Sequence, residues 1–178
     1  WTIGGKKGKT IITGEESNLG GGILISDNIE VSKIQNTKFS YLSGINQNLI
    51  HEFLILGSIN FHQTKAEIKD ATFENIYSED AINIFRSSFK IEDSSYKNII
   101  SDAIDIDFSN GEITSVNFEN VKNDAIDFSG SKAFIYNLNF NNVNDKLVSV
   151  GENSIIKISK INAIDSHAGI ISKDGSEV

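Results

Sequence analysis

The 178 residues include no cysteine and no methionine. Without thiols there is no disulfide staple, no thiolate nucleophile and no Cys-ligated zinc or iron–sulfur centre. A chain that begins at Trp1 and lacks methionine reads as a processed protein or a piece of a longer one. No apolar run reaches the roughly 18 residues that a membrane span requires, and no basic stretch leads into an apolar one near the amino terminus. Positive charge is scarce too: 16 lysines and arginines stand against 24 aspartates and glutamates, a net charge of −8. That balance opposes non-specific nucleic-acid binding, in which cations must displace the counterions of phosphates. Cations and neutral glycans stay open as partners. The 39% hydrophobic content suits a folded globular or solenoid protein and argues against disorder.

What the sequence does contain is a repeat. The segments IKDATFENI, IEDSSYKNI, ITSVNFENV and IYNLNFNNV begin at Ile68, Ile91, Ile113 and Ile135, spaced 23, 22 and 22 residues apart. A second short strand follows each: DAINIF from Asp80, DAIDID from Asp102, DAIDFS from Asp124 and KLVSVG from Lys146, at a spacing of 22. GSINFH from Gly57 is an earlier copy, and ILIS near Ile23 and GIIS near Gly169 are degenerate members. Apolar residues alternate over strand lengths, turns separate the strands, and nothing is long enough for a regular helix. Helical repeats are therefore excluded, and the leucine-and-asparagine consensus of leucine-rich repeats is missing. Isoleucine, valine and phenylalanine dominate, as stacked strands prefer. The expectation is an all-β, single-stranded, right-handed parallel β-helix of about seven turns of about 22 residues, one domain spanning 1–178. The right-handed sense follows from the preference of parallel β crossovers.

Stacked turns place equivalent residues about 4.8 Å apart, so every column must tolerate itself. Ile59, Ile82, Ile104, Ile126 and Val148 form one inward column, and Phe61, Ile84, Ile106, Phe128 and Val150 a second. Phe73, Tyr96, Phe118 and Phe140 form an aromatic third. Two residues later, where the chain turns, stand Asn75, Asn98, Asn120 and Asn142, which read as a structural amide ladder. Two places break the period. From Ile34 to Ile68 is 34 residues, so residues 44–53 (GINQNLIHEF) are expected to protrude as a loop able to carry contacts. Near the amino-terminal edge, GGKKGKTIITG reads as a turn. Open strand edges at both ends predict contact there with other domains or subunits.

With Ile104 and Ile106 inward, Ala103, Asp105 and Asp107 are expected to point outward. Asn83 and Phe85 then lie on one side and Asp127 and Ser129 on the other, with Asn60, His62 and Ser149 farther along. Two carboxylates stacked at about 4.8 Å repel by about 3–4 kcal/mol at an effective dielectric of 20, and by about 1 kcal/mol in water. Partial burial thus favours a bound cation, a shared proton or a neighbouring arginine, for which Arg86 is the candidate. Asn60, Asn83, Asp105, Asp107 and Asp127 are the candidate ligand-binding residues. Asp105, Asp107 and Asp127 are candidate ligands for calcium (Ca2+), a hard cation that takes oxygen donors. The competing reading is a solvated acidic face on an acidic solenoid, and the sequence leaves both open. Asp80, Asp102, Asp124 and Lys146 begin successive strands; they read as turn residues, with Lys146 relieving stacked negative charge.

These repeats resemble the pectate-lyase-like superfamily of β-helices over about Gly57 to Val178. SEDAINIFRSSFKIEDSSYKN, SDAIDIDFSNG, NDAIDFSGS and HAGIISKDGSEV look like β-helix regions of bacterial surface proteins that can accompany spore-coat-kinase-type domains. That resemblance implies an extracellular or cell-surface bacterial protein with a polysaccharide or other surface glycan as partner. No kinase signature is present. Against the polygalacturonase pattern, Ser101-Asp102, Asn123-Asp124 and Asp145-Lys146 fall at the right one-turn spacing. Asn123 stands where an aspartate should donate a proton, no histidine lies near Lys146, and His167 comes one turn too late. An amide cannot act as the general acid of glycoside hydrolysis. The expected role is a non-catalytic module for glycan or cation binding or rigid scaffolding. The alternative is a carbohydrate-active enzyme, a uronate polysaccharide lyase or epimerase before a glycoside hydrolase, with Arg86, His62, Asp102 and Asp124 as catalytic candidates.

Overall fold

A computed structural model describes residues 1–5, 8–45 and 55–178. A coil consists of three short strands, as in Ser88–Glu92, Ser95–Ile99 and Asp102–Asp107. Coil stacks on coil through parallel pairing alone between the named strands, which makes an all-β solenoid of about seven turns. First and second strands of successive coils share an 11-stranded sheet that covers two faces. The third face is a 7-stranded sheet ordered Ile23–Ser26, Gly57–His62, Asp80–Phe85, Asp102–Asp107, Ile126–Ser129, Lys146–Gly151 and Ala168–Ser172. The degenerate members near Ile23 and Gly169 are thus the two outer strands of that face, in register with Ile59 and Val148. Of the segment 44–53, expected as a loop, only Gly44 and Ile45 lie within the described residues.

Register confirms like over like. Ile59 pairs with Ile82, Ile82 with Ile104 and Ile104 with Ile126, all without exposed surface. The aromatic column extends one coil further than the repeat suggests, to Phe39. Its rings stack nearly parallel, with centroids 5.1, 4.9, 5.2 and 5.0 Å apart from Phe39 through Phe73, Tyr96 and Phe118 to Phe140. Each such buried side chain stabilises the fold by about 1.5–3 kcal/mol relative to exposure. Offset stacking adds about 0.5–1.5 kcal/mol per ring pair.

Corners close each coil, and they do so through left-handed residues at recurring positions. Asn36, Asp70, Asp93, Ser115, Asn137 and Lys160 mark one corner, and Tyr41, Asn75, Asn98, Asn120, Asn142 and Asp165 a second. The third corner carries Asp27, Gln63, Arg86, Phe108, Gly130, Glu152 and Asp174. Asparagine and aspartate tolerate this backbone because their short side chains bond locally. At the second corner the amides form the expected ladder, each Nδ2 donating to the Oδ1 of the preceding coil: Asn98 to Asn75 at 2.9 Å, Asn120 to Asn98 at 2.9 Å, Asn142 to Asn120 at 2.8 Å. A buried serine column, unread in the sequence, follows the third corner. The backbone N–H groups of Ser87, Ser109 and Ser131 donate to the hydroxyls of Ser109, Ser131 and Ser154 on the next coil, each at 2.9 Å. Those hydroxyls fill the hydrogen bonds of turn N–H groups that no strand ladder can reach.

Candidate functional site

The third face carries the chemistry. Its middle column runs Asn60, Asn83, Asp105, Asp127 and Ser149 in continuous register, one residue per strand. The neighbouring outward column holds His62, Phe85, Asp107 and Ser129. The structure therefore brings together the predicted Asn83, Asp105, Asp107 and Asp127. The expected exposure does not extend along the whole column. Alternation fixes the direction of a side chain but not its access to solvent, and Asn60, Asn83, His62 and Ser149 are all buried. Ala103, expected outward with the aspartates, is also fully buried.

Asn60 uses its amide on the backbone. Its Oδ1 accepts the Gly57 N–H at 2.9 Å, and its Nδ2 donates to the carbonyls of Gly57 at 2.7 Å and Ile23 at 3.2 Å. Asn83 instead turns to the acids, donating from Nδ2 to Asp105 Oδ2 at 2.9 Å. Burial raises the Asp105 carboxyl to about 8, reinforced by the charges of Asp107 and Asp127. Burial also raises Asp107, while the Asn83 amide pulls it back. The catalytic candidates Asp102 and Asp124 belong to a backbone-binding column. Asp102 Oδ1 accepts the Asp124 N–H at 2.8 Å, and Asp124 Oδ1 accepts the Lys146 N–H at 2.9 Å. Burial lifts Asp102 to about 6 and raises Asp124, against which the Lys146 hydrogen bonds work. Lys146 Nζ lies 3.2 Å from Asp124 Oδ1 and 2.6 Å from Asp145 Oδ2, so lysine does replace the next aspartate in relieving charge. At the other end of that column Asp80 is 2% exposed, and its Oδ2 has no hydrogen-bond partner. Burial first, then the charges of Asp105 and Asp102, push it up to about 9.

Arg86 does not neutralise the stacked acids. Among the described residues it makes no ion pair, and its guanidinium lies 5.0 Å over the Phe85 ring. The His62 ring packs 5.3 Å from that of Phe85, and burial holds its imidazole below the usual range while Asn83 and Asp27 pull upward. Among the described residues no group of three or more His, Cys, Asp or Glu side chains is gathered in a way that could hold a metal ion. The proposed calcium ligands Asp105, Asp107 and Asp127 therefore share a face without forming such a cluster.

One feature of this face escaped the sequence. Phe108 follows Asp107 directly, takes a left-handed φ of 49°, and leaves its ring 51% exposed. That backbone is common to the other residues of this corner, which here carries a bulky aromatic side chain. The ring packs over Gly130. A Cβ on Gly130, itself at φ 61°, would come within 2.5 Å of Phe108 Cδ1. Phe85 meets Phe108 edge-on at 6.0 Å and 90°. The result is an aromatic pair at the corner that follows the strand bearing Asp105 and Asp107.

In fold, the chain is similar to the catalytic unit of a GH87 α-1,3-glucanase. That enzyme is thermostable and comes from Streptomyces thermodiastaticus strain HF3-3; the TM-score is 0.59 at 8% identity. The match covers 88% of this chain but 42% of the glucanase unit, so the solenoid spans less than half of its neighbour. At that identity the likeness shows the β-helix fold alone. No protein-family model matches the chain, and no curated protein is significantly similar to it. Among the described residues no helix is long and apolar enough to cross a membrane.

Proposed function

We propose that this chain is a glycan-binding β-helix module of an extracellular or cell-surface protein, with the third face as its binding surface. The observation that carries the reading is the half-exposed Phe108 ring, seated over Gly130 at the corner that follows the strand bearing Asp105 and Asp107, with Asp127 on the next strand of the same sheet. A pyranose has an apolar face of C–H groups and a rim of hydroxyls. An aromatic plane beside oxygen acceptors matches both, the ring supplying apolar contact and the carboxyls fixing orientation. Resemblance of the repeats to bacterial surface β-helices and the glucanase neighbour both favour a polysaccharide context.

Affinity electrophoresis of the chain through gels containing single polysaccharides, α-1,3-glucan among them, tests the reading. Retardation by at least one glycan, weakened in Phe108→Ala, is the expected outcome. Unretarded migration through every gel refutes it.

A second reading has its own support. Asp105 holds its proton up to about 8, as a general acid working near neutral pH must. Glycoside hydrolysis needs such an acid paired with a second carboxylate, and Asp127 stands one strand away in register. Under this reading the chain releases reducing ends from α-1,3-glucan or a related substrate, and Asp105→Asn abolishes that release. Absence of new reducing ends across the same panel removes the reading and leaves a binding module.

A further inference from the structure

The first strands of the coils carry a lattice of opposite charges on their outward side. Lys33, Glu67, Lys90 and Glu112 follow one another in register, with Lys33 2.7 Å from Glu67 and Lys90 3.0 Å from Glu112. In the column beside them Lys69 precedes Glu92, and Lys90 reaches Glu92 at 3.0 Å. The next coil breaks the lattice at both positions, where Phe134 follows Glu112 and Tyr136 follows Thr114. The two rings are 42% and 40% exposed, lie 6.4 Å apart and are within 12° of parallel. Lysines surround them. Lys132 stands two residues before Phe134 on the same strand, Lys157 pairs with Phe134 in register from the coil beyond, and Lys160 Nζ lies 5.8 Å from the centre of the Tyr136 ring. Lys160 occupies the corner position that Asn36, Asp70, Asp93, Ser115 and Asn137 hold on the other coils. All three lysines are exposed, and among the described residues none of them pairs with an acid. Glu112, the acid next to Phe134 in register, is engaged by Lys90 on its other side.

We infer that Phe134, Tyr136, Lys132, Lys157 and Lys160 form a separate binding site on the first face, for a polysaccharide that carries scattered negative charge. Its sugar rings pack on the aromatic pair, and its carboxylates or sulfates meet the lysines. The site goes beyond the third-face reading and does not rest on it. Elsewhere on this face a lysine finds its counter-charge on an adjacent coil; here aromatic rings stand in that place, and a charged ligand supplies the counter-charge instead. The C–H face of a pyranose suits an exposed aromatic ring, and charged groups around the ring fix its orientation. A neutral glycan would use the rings and leave the lysines idle, and a small inorganic anion would do the reverse. A polynucleotide carries a charge at about every 3.4 Å of each strand, dense enough for the chain's net charge of −8 to oppose it. A polysaccharide charged at only some of its rings meets the local lysines without that penalty.

Isothermal titration of the full chain tests this with dextran, sparsely carboxymethylated dextran and sparsely sulfated dextran of equal length, oligothymidylate, and vesicles containing phosphatidylserine. At least one of the two charged dextrans is expected to bind about tenfold more tightly than dextran itself, with affinity falling as salt screens the lysines. Which of the two binds better tells carboxylate from sulfate recognition. Phe134→Ala and Tyr136→Ala, at exposed positions, should each weaken that binding about tenfold, and Lys157→Gln and Lys160→Gln about threefold each. Phe108→Ala should leave it unchanged. Charged dextrans that bind no better than dextran overturn the inference, as does binding that survives both aromatic substitutions. Tighter binding of oligothymidylate or of the vesicles than of either charged dextran also overturns it and assigns the patch to a nucleic acid or a membrane surface. Glycan binding that responds to Phe108→Ala alone removes this site and leaves the third-face reading standing; binding that responds to Phe134→Ala and Tyr136→Ala alone supports this site whatever becomes of the third face.

Discussion

Replacing Tyr96 with phenylalanine should make the protein more stable. Tyr96 lies in the aromatic column between Phe73 and Phe118, with no exposed surface. Its hydroxyl has no hydrogen-bond partner, and burial drives its pKa well above the usual tyrosine value. Leaving a buried hydroxyl unsatisfied costs about 1–3 kcal/mol. Phenylalanine keeps both stacking contacts, at 4.9 and 5.2 Å, and vacates less than the volume of one water. At about 24 cal/mol per Å3 of cavity that void costs roughly 0.3 kcal/mol. The net gain is about 1–2 kcal/mol, or about 2–8 °C in melting temperature for a chain of this size. Urea unfolding followed by circular dichroism, with the m-value held, measures it. A Tyr96→Phe protein of equal or lower stability refutes the reasoning, because the hydroxyl must then contribute a favourable interaction.

Other consequences are as concrete. Asn120→Ala removes hydrogen bonds to the coils on either side and places a Cβ without a local partner at φ 56°; a loss of about 2–4 kcal/mol is expected. Asn120→Gly should lose less, since glycine accepts that backbone, and equal losses would show that the conformation contributes nothing. Ser131→Ala strands the buried Ser109 N–H and should cost about 1–3 kcal/mol in urea denaturation; a loss below about 0.5 kcal/mol, the scale of ordinary surface changes, contradicts the serine-column reading. Asp80 and Asp105, raised to about 9 and about 8, keep protons that an unfolded aspartate near 3.9 has already released. Above about pH 4 the native state thus binds more protons than the unfolded one, so stability falls as pH rises toward 9, by up to about 1.4 kcal/mol per unit for one group. Below pH 4 both states are protonated and this destabilisation is absent. Asp80→Asn should flatten the fall between pH 5 and 9, and an unchanged slope refutes the assignment.

Much of this architecture was legible because the same small set of residues recurs at nearly fixed spacing. Ile82, Ile104 and Ile126 recur 22 residues apart, and stacking like over like buries all three. The asparagine ladder was legible for the same reason, since its members share one corner. Serine is too common a turn residue to stand out, so Ser87, Ser109, Ser131 and Ser154 went unread although they keep the same period. At the site, period-2 alternation assigned Asp105, Asp107 and Asp127 to one side correctly. It carried no information about what covers a side chain, and so Asn60 and His62 were expected on an open surface where they are buried. Phe108 was missed because it interrupts a corner otherwise held by Gln63, Arg86, Gly130 and Glu152, and its role depends on Gly130 in the coil beyond.

The solenoid's near-identical rungs also make its length a countable quantity. Residues 110–131 sit between neighbours that present the same columns on either side: Tyr96 and Phe140 flank Phe118, and Asn98 and Asn142 flank Asn120. A second copy of those 22 residues spliced in before Lys132 would meet Phe118 with Phe118 and Asn120 with Asn120, contacts of kinds the molecule already makes. The rod would grow by one strand spacing, about 4.8 Å, without altering its cross-section. Insertion or loss of whole coils is therefore a way to set the distance between whatever is joined to its two ends, in steps of fixed size.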